Sequence, residues 1–149
     1  MGSIFCNLLV LTPKSRIMYQ YNAIVRKVVD GDTIEVDIDL GLSTWVHSEK
    51  IRLYGIDTPE VFGVKKGSEE WEKGNLSSEF VKENVKENDP VIIETFKDKR
   101  EKYGRYLALV YLRFDETLLS GLSGIRSLNG LYCLNDVMTA KGLAKVYIL

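Results

Sequence analysis

The stretch Thr33-Ile34-Glu35-Val36-Asp37-Ile38-Asp39-Leu40 alternates apolar and polar side chains without a break. Such a period of two is typical of a strand with one face against a core and the other toward solvent. Aspartate and glycine at positions 30–32, immediately before the stretch, are residues that tight turns favour. The pattern therefore predicts an antiparallel hairpin whose second strand covers residues 33–40.

Further strands are predicted on both sides of this hairpin. Residues 21–30 form its first strand, and residues 45–56 form a third strand in which Ile51 and Leu53 point inward and Arg52 points outward. Apolar runs predict additional strands at residues 91–96, 106–113 and 143–149. Short turns between the first three strands indicate a meander.

The periodicity becomes helical after a polar segment, residues 57–74, that we interpret as a loop. Leu76, Phe80, Val81 and Val85 recur at helical spacing, and Asn75 precedes them as a possible N-cap. We expect a helix over residues 75–88 that covers the sheet, and a second one over residues 134–141 that ends at Gly142. Strands interrupted by a helix after the third are typical of the OB-fold. The predicted fold is mainly β: a five-stranded antiparallel OB-fold barrel with one or two packed helices.

Length and composition indicate one soluble domain. The chain has 149 residues, of which 45% are hydrophobic and 28% charged, and its formal net charge is −1. This charge excludes attraction of nucleic acid by the molecule as a whole, so any such site must use local charge. We assign residues 19–149 to the domain and residues 1–18 to an N-terminal leader or extension.

The N-terminal segment contains the apolar run 4–11, which is too short to cross a bilayer, since a span needs about 20 residues. The basic residues Lys14 and Arg16 follow this run instead of preceding it, which does not fit a signal peptide. A leader, an extra strand and an over-long start all stay open. A cytoplasmic location is favoured over secretion.

The two cysteines, Cys6 and Cys133, do not have the spacing of a zinc site. They could pair with each other, but a buried or unreactive thiol is the simpler interpretation.

Three polar segments carry side chains suited to chemistry, although each alone has a structural explanation. Residues 30–33 suit a hairpin turn, residues 57–60 could cap a helix, and residues 97–105 could be a solvated loop. Only their combination favours a functional interpretation.

Taken together with a fourth segment near the C-terminus, they resemble the staphylococcal nuclease (thermonuclease) family in order and spacing. The resemblance extends from about residue 21 to residue 147. The matching segments are Val29-Asp30-Gly31-Asp32-Thr33, Ile51-Arg52-Leu53-Tyr54-Gly55-Ile56-Asp57-Thr58-Pro59-Glu60, Lys102-Tyr103-Gly104-Arg105-Tyr106-Leu107-Ala108 and Gly142-Leu143-Ala144-Lys145-Val146.

The resemblance implies a metal site and a catalytic base. Asp32 and Asp57 would hold a single Ca²⁺, with the backbone carbonyl of Thr58 as a further ligand. Glu60 would be the general base that accepts a proton from the attacking water.

The resemblance also implies how substrate would be held. Arg52 and Arg105 would bind the scissile phosphate, and Lys102 and Tyr103 would flank the nucleotide. The implied enzyme is a monomeric Ca²⁺-dependent endonuclease without a membrane span. It would hydrolyse phosphodiester bonds of DNA and RNA, preferably single-stranded, and leave 3′-phosphate ends.

These residue types suit the chemistry on physical grounds as well. Carboxylate oxygens are ligands that Ca²⁺ prefers, and the ion can act as a Lewis acid toward a phosphate. Guanidinium groups bind phosphate oxygens in pairs and stay charged at any working pH.

Local charge favours a nucleic-acid substrate. Residues 97–113 contain six basic and two acidic side chains, a balance of +4, together with Tyr103, Tyr106 and Tyr111. Aromatic side chains among basic ones are typical of surfaces that bind single strands. For Tyr106 and Tyr111 the alternative role is ordinary barrel packing, which we prefer for at least one of them. We interpret His47 as a surface residue in a polar turn, and Trp45 and Trp71 as packing residues.

Two features depart from the family pattern. Residues 115–133 are longer than the usual short turn, and their composition suggests a flexible hairpin. The chain also ends soon after the fourth segment, where family members usually continue into a further helix. The main alternative function is a catalytically inactive OB-like module that binds nucleic acid or protein. A purely structural OB domain would explain the fold but not the grouping of acids with arginines.

Overall fold

The computed structural model describes residues 18–100 and 102–147, with nine strands and three helices in them. The N-terminal leader or extension therefore lies outside the described residues, apart from Met18, which begins β1. The strands are β1 Met18–Asp30, β2 Thr33–Asp39, β3 Trp45–Leu53, β4 Ile56–Asp57, β5 Pro90–Arg100, β6 Tyr106–Leu112, β7 Ser127–Leu128, β8 Leu131–Cys133 and β9 Lys145–Val146. The helices are α1 Glu69–Asn84, α2 Glu116–Leu119 and α3 Leu134–Ala140.

Five of the strands close into a barrel. They are hydrogen-bonded in the order β3-β2-β1-β5-β6, and β3 also pairs with β6. The four successive pairs are antiparallel, whereas the closing pair is parallel, with Ile51 opposite Tyr106 and Leu53 opposite Ala108. The predicted five-stranded OB-fold barrel is confirmed. The parallel closure joins segments distant in sequence, so the alternation pattern does not reveal it.

The barrel core contains the apolar positions that the alternation predicts. Ile34, Val36 and Ile38 of β2 are buried, as are Ile51 and Leu53 of β3. The third predicted strand is divided, because a turn at residues 54–55 separates β3 from the short β4. β2 ends at Asp39, so that Leu40 is exposed and does not belong to the core.

One acidic residue on the other face of β2 is also buried. Asp37 accepts hydrogen bonds from the Ser48 backbone N–H at 2.9 Å and from the Arg26 guanidinium group. The His47 Nδ1 atom lies 3.0 Å from the same carboxylate. Burial opposes ionisation of Asp37, but these partners outweigh it and lower its pKa to about 2. His47 is exposed as predicted, but it lies in β3 instead of a turn.

Helix α1 begins at Glu69 and ends at Asn84, so the predicted bounds 75–88 are wrong. Its N-cap is Ser68, whose Oγ accepts a hydrogen bond from the Trp71 N–H at 3.3 Å. Asn75, the predicted N-cap, lies within the helix.

The buried face of α1 also differs from the prediction. Gly74, Ser77 and Val81 are its buried residues, and Val85 is buried just beyond its end, whereas Leu76 is 57% exposed. Small residues let the N-terminal half of the helix approach its neighbours closely. An apolar periodicity cannot detect a face built in this way.

The segment over residues 115–133 contains α2 and the predicted hairpin, formed by β7 and β8. Its turn places Asn129 and Gly130 at φ 51° and 78°, the left-handed conformations that a two-residue hairpin turn requires. Arg126 donates two hydrogen bonds, each of 2.8 Å, to the two carboxylate oxygens of Asp136. This pair ties the hairpin to α3.

A buried asparagine connects α3 to the barrel. The Asn135 amide nitrogen donates to the Tyr54 and Ala108 carbonyls at 2.9 and 3.1 Å, and its oxygen accepts from the Val110 N–H at 3.1 Å. The bond to the Tyr54 carbonyl holds the turn between β3 and β4, and the other two attach α3 to β6. Gly142, at φ 73°, follows the helix as predicted. In the described part of the chain no helix is long and apolar enough to cross a membrane.

The second cysteine is a buried free thiol next to Asn135. Burial raises the pKa of Cys133 to about 12, so this thiol is protonated at neutral pH. Cys6 lies outside the described residues.

Candidate active site

The turn between β1 and β2 positions the first acidic residues. The Asp30 carboxylate accepts a hydrogen bond from the Asp32 backbone N–H at 3.0 Å, an arrangement that stabilises an aspartate turn. The Thr33 hydroxyl donates to the Asp32 carboxylate at 3.0 Å. The orientation of Asp32 is therefore fixed by its neighbours in sequence.

Two glycines let α1 pack directly against the acidic segments. A Cβ atom on Gly31 would lie 3.2 Å from the Ser77 Cβ and 3.3 Å from the Thr58 Oγ1. A Cβ atom on Gly74 would lie 2.7 Å from the Pro59 carbonyl oxygen, which is a clash with backbone. The helix thus supports both the β1–β2 turn and the loop that follows β4.

Arg52 is held between the two acidic segments. Its Nη1 atom donates to the Leu53 and Ile56 carbonyls at 2.9 and 3.0 Å. Its Nη2 atom lies 3.4 Å from a carboxylate oxygen of Asp32 and 3.4 Å from one of Asp57. Only 14% of the side chain is exposed. Arg52 is preorganised by its bonds to the two backbone carbonyls.

The C-terminal strand positions Asp57. β4 pairs with β9, with Asp57 opposite Lys145, and the Tyr147 N–H donates to the Gly55 carbonyl at 2.8 Å. The Asp57 side chain is half-exposed and Thr58 is buried. Glu60 is exposed in the loop that follows.

The loop between β5 and β6 contributes the basic residues. The Lys102 ammonium group and the Arg105 guanidinium carbon lie 4.9 and 5.5 Å from the centre of the Tyr103 ring, within cation–π range. Arg105 also donates to the Thr33 hydroxyl at 3.0 Å. A chain of hydrogen bonds therefore runs from Arg105 through Thr33 to Asp32.

All eight residues predicted for the site line one cleft of about 840 Å³. They come from four parts of the chain: the β1–β2 turn, β3, β4 with its following loop, and the β5–β6 loop. The eight are Asp32, Arg52, Asp57, Thr58, Glu60, Lys102, Tyr103 and Arg105. The structure thus brings the predicted residues together, while their individual roles stay predictions.

The charges that line the cleft balance, with four acidic and four basic side chains. They are Asp30, Asp32, Asp57 and Glu60 against Lys50, Arg52, Lys102 and Arg105. Burial, together with the adjacent Asp32 carboxylate, raises the pKa of Asp30 to about 6. A phosphate would therefore be bound by the arrangement of these charges and not by an excess of positive charge.

The donor set consists of oxygen atoms, the ligands that Ca²⁺ prefers. Asp32 and Asp57 already share one cation, the Arg52 guanidinium group, so their nearest oxygens are separated by at most twice 3.4 Å. No cluster of three His, Cys, Asp or Glu side chains suited to a metal occurs among the described residues. A Ca²⁺ site would therefore need backbone carbonyls and waters in addition to carboxylates, which this ion commonly uses.

Among the charged and aromatic side chains of the cleft, four were not predicted from the sequence: Asp30, Lys50, Phe62 and Tyr147. Asp30 belongs to a quoted motif, and its proximity to Asp32 is the signal that could have identified it. The other three carry no motif, and only the fold brings them to the cleft.

The sequence of residues 50–149 matches the family described as staphylococcal nuclease homologue. A thermonuclease of Staphylococcus intermedius is 38% identical over 89 residues, which are 60% of this chain and 48% of that protein. An uncharacterized protein of Methanocaldococcus jannaschii is 31% identical over 145 residues, covering 86% of this chain and 60% of its own.

A third relative, an endonuclease of Bacillus subtilis, is 29% identical over 94 residues, covering 61% of this chain and 7% of that protein. The chain therefore spans about half to three fifths of the first two relatives and a small part of the third. Together with the barrel and the cleft, the family match identifies this chain as a member of the staphylococcal nuclease homologue family.

Proposed function

We propose that this protein is a nuclease that hydrolyses internal phosphodiester bonds of DNA and RNA in a Ca²⁺-dependent reaction. The observation that supports it most is the cleft in which Arg52 and Arg105 lie beside carboxylates from two segments, the β1–β2 turn and residues 57–60. Family membership supports a nuclease activity in general. The metal, the substrates and the residue roles are parts of the proposal.

Arg52 and Arg105 are proposed to bind the oxygens of the scissile phosphate. The Arg52 group is oriented by two backbone carbonyls and Arg105 by the Thr33 hydroxyl, so neither has to be ordered when substrate arrives. Donors that are preorganised in this way favour the transition state, in which charge accumulates on the phosphate oxygens.

Asp32, Asp57 and the Thr58 carbonyl are proposed to hold Ca²⁺. When bound, the ion would supply Lewis-acid stabilisation of the phosphate and lower the pKa of a bound water. Since both carboxylates contact Nη2 of Arg52, binding of a second cation to them would leave this atom free to donate to the phosphate, while Nη1 stays on its two carbonyls. The balance of charge in the cleft would at the same time become positive.

Glu60 is proposed to accept the proton of the attacking water. Its side chain is exposed in the cleft, where it can reach a water beside the phosphate. The new bond forms between water oxygen and phosphorus, the bond to the 5′ oxygen breaks, and this leaving oxygen takes up a proton from solvent. The products are a 3′-phosphate and a 5′-hydroxyl end.

A single-stranded substrate is proposed because the cleft offers charge and ring faces instead of a base-reading element. Lys102 and Tyr103 lie at the exposed end of the β5–β6 loop, where they would contact phosphate and any base. A monomer and a cytoplasmic location stay predictions of the sequence.

The test is digestion of plasmid, single-stranded DNA and RNA by the purified protein, with Ca²⁺ and with a chelator. We expect cleavage that requires Ca²⁺, with 3′-phosphate ends identified by end labelling. Glu60→Gln should reduce the rate by about 10²–10⁴-fold. Glu83→Gln, a change on an exposed part of α1 outside the cleft, is the matched control and should have no effect.

Binding of oligonucleotides without cleavage under any of these conditions would instead indicate the catalytically inactive binding module. Cleavage that is unchanged by the chelator would exclude the proposed dependence on Ca²⁺.

A further inference from the structure

An exposed phenylalanine lines the cleft beside the proposed base. Phe62 is 80% exposed and follows Glu60 by two residues. Most of its apolar surface is therefore in contact with water, although burying such a side chain is favourable. An exposed aromatic ring at the edge of a cleft is a feature that a ligand can cover.

The position of Phe62 is determined by the residues on either side of it. Val61 packs against α1, because its Cγ2 atom lies only 2.7 Å from the place where a Gly74 Cβ would be. Gly63 has φ 79°, so the chain turns immediately after the ring. The loop is therefore anchored at Val61 and turns at Gly63, and it places the Phe62 ring at the cleft.

Phe62 differs from Tyr103, the exposed ring of the cleft that was predicted from the sequence. The ring of Tyr103 is approached by Lys102 and Arg105, as described above. Among the described residues, no cation and no second aromatic ring contacts Phe62. Its faces are open to a planar apolar group.

We propose that Phe62 is a stacking platform for an unpaired nucleobase, next to the phosphate that Arg52 and Arg105 bind. The inference rests on the proposed nuclease function and adds a base subsite to it. Bases present two apolar faces, and a strand that places a phosphate in the cleft brings the adjoining bases to its rim. In a duplex these faces are already stacked, so this contact selects single strands.

The test measures binding of fluorescent single-stranded oligonucleotides and of the matching duplex in the Glu60→Gln background with Ca²⁺, so that substrate is not consumed. Phe62→Ala should weaken single-strand binding by about 5-fold to about 100-fold, the effect of losing one base–aromatic stack. Phe62→Trp should retain the affinity, and duplex binding should change by less than about 2-fold. Leu42→Ala removes a fully exposed side chain outside the cleft and is the matched control.

A second series replaces one nucleotide at a time by an abasic one. At the position that stacks on Phe62, the abasic substitution and Phe62→Ala should each weaken single-strand binding by the same factor. The two changes combined should weaken it no more than either one alone. If no position shows this coupling, or if Phe62→Ala weakens duplex and single strand equally, the stacking role is wrong.

Cleavage of the same oligonucleotides by protein that retains Glu60 separates this inference from the proposed function. A Phe62→Ala protein that cleaves and binds single strands like its parent would overturn only the stacking role. Absence of both binding and cleavage in the unmodified protein would overturn the proposed function and the base subsite together.

Discussion

The acidic and the basic sides of the cleft are built differently. On the acidic side, the β1–β2 turn and the loop after β4 pack against α1, with Gly31 and Gly74 allowing backbone approaches in which a methyl group would fit tightly or clash. On the basic side, Lys102 and Tyr103 lie on an exposed loop between two strands. Arg105 connects the two sides through the Thr33 hydroxyl.

This difference corresponds to two requirements of the proposed reaction. Metal ligands and a general base need positions fixed to a fraction of an ångström, which packing against a helix supplies. A surface that binds phosphates and bases of any sequence needs charge and ring faces, which an exposed loop can present. We therefore expect substitutions on the acidic side to change the catalytic rate, and substitutions on the exposed loop to change substrate binding.

The largest effect is expected for the residue that connects the sides. Arg105→Ala removes a donor to the proposed transition state and a hydrogen bond to Thr33, so kcat should fall by about 10²–10³-fold. Steady-state kinetics on a single-stranded oligonucleotide measure this fall in kcat. Arg113→Ala, at an exposed position just after β6, removes the same charge outside the cleft and is the control. An equal loss in both variants would reduce the role of Arg105 to general electrostatic attraction.

A smaller loss is expected from a methyl group on α1. Gly74→Ala places a Cβ atom 2.7 Å from the Pro59 carbonyl and 3.0 Å from that of Glu60, so the loop must shift. A displacement of about 1 Å at the catalytic base can cost up to about 10²-fold in rate, and we expect a 10- to 100-fold loss of kcat.

The same substitution should retain the helix, because alanine is a better helix former than glycine by about 1 kcal/mol. Circular dichroism and urea denaturation check this, with Glu79→Ala at an exposed position of α1 as control. A kcat within 2-fold of the parent would mean that the loop adjusts without moving Glu60.

The contribution of α1 also shows what the sequence could not predict. The barrel follows from strands whose buried positions alternate, such as Ile34 and Val36, because local pattern and tertiary burial agree there. The predicted start of α1 was wrong because the helix packs through Gly74 and Ser77. Their small size, and not their hydrophobicity, permits the contact with the neighbouring segments. Leu76 fits the apolar period but is exposed.

Some residues of the candidate site could be predicted from the sequence and others could not. The residues that form short motifs, such as Asp57 and Glu60, were predicted together because the chain keeps them adjacent. Lys50, Phe62 and Tyr147 reach the cleft through strand pairing and a loop, which no local pattern encodes. Buried Asp37 likewise accepts hydrogen bonds from Arg26 and Ser48, which are 11 residues away on either side.

On the exposed loop, we expect Tyr103→Ala to raise KM with little change in kcat. The ring interacts with Lys102 and Arg105 at an exposed position, where a cation–π contact contributes about 0.5–1 kcal/mol. That corresponds to roughly a 2- to 5-fold change in KM. Tyr103→Phe keeps the ring and should behave like the parent. A selective fall in kcat would place Tyr103 with the acidic side instead.

The smallest effect on activity is expected at Asp37, a buried carboxylate that does not line the cleft. Its partners lower its pKa from the ordinary 3.8 to about 2, so the folded state favours the ionised form. The stability that this provides is fully present above about pH 4 and is lost as the pH falls toward 2. Because Arg26 is partly exposed, we expect about 1–2 kcal/mol over this interval.

Asp37→Asn should therefore lower the free energy of unfolding at neutral pH and make its decrease between pH 4 and pH 2 shallower than in the parent. Urea denaturation at closely spaced pH values measures both quantities. Cleavage at neutral pH should stay unchanged, since the carboxylate contacts β1 and β3 residues and none of the cleft side chains. A loss of activity as large as that of Gly74→Ala would show that barrel electrostatics and the acidic side of the cleft are coupled. Equal pH slopes in variant and parent would instead assign the acid sensitivity of the fold to other carboxylates.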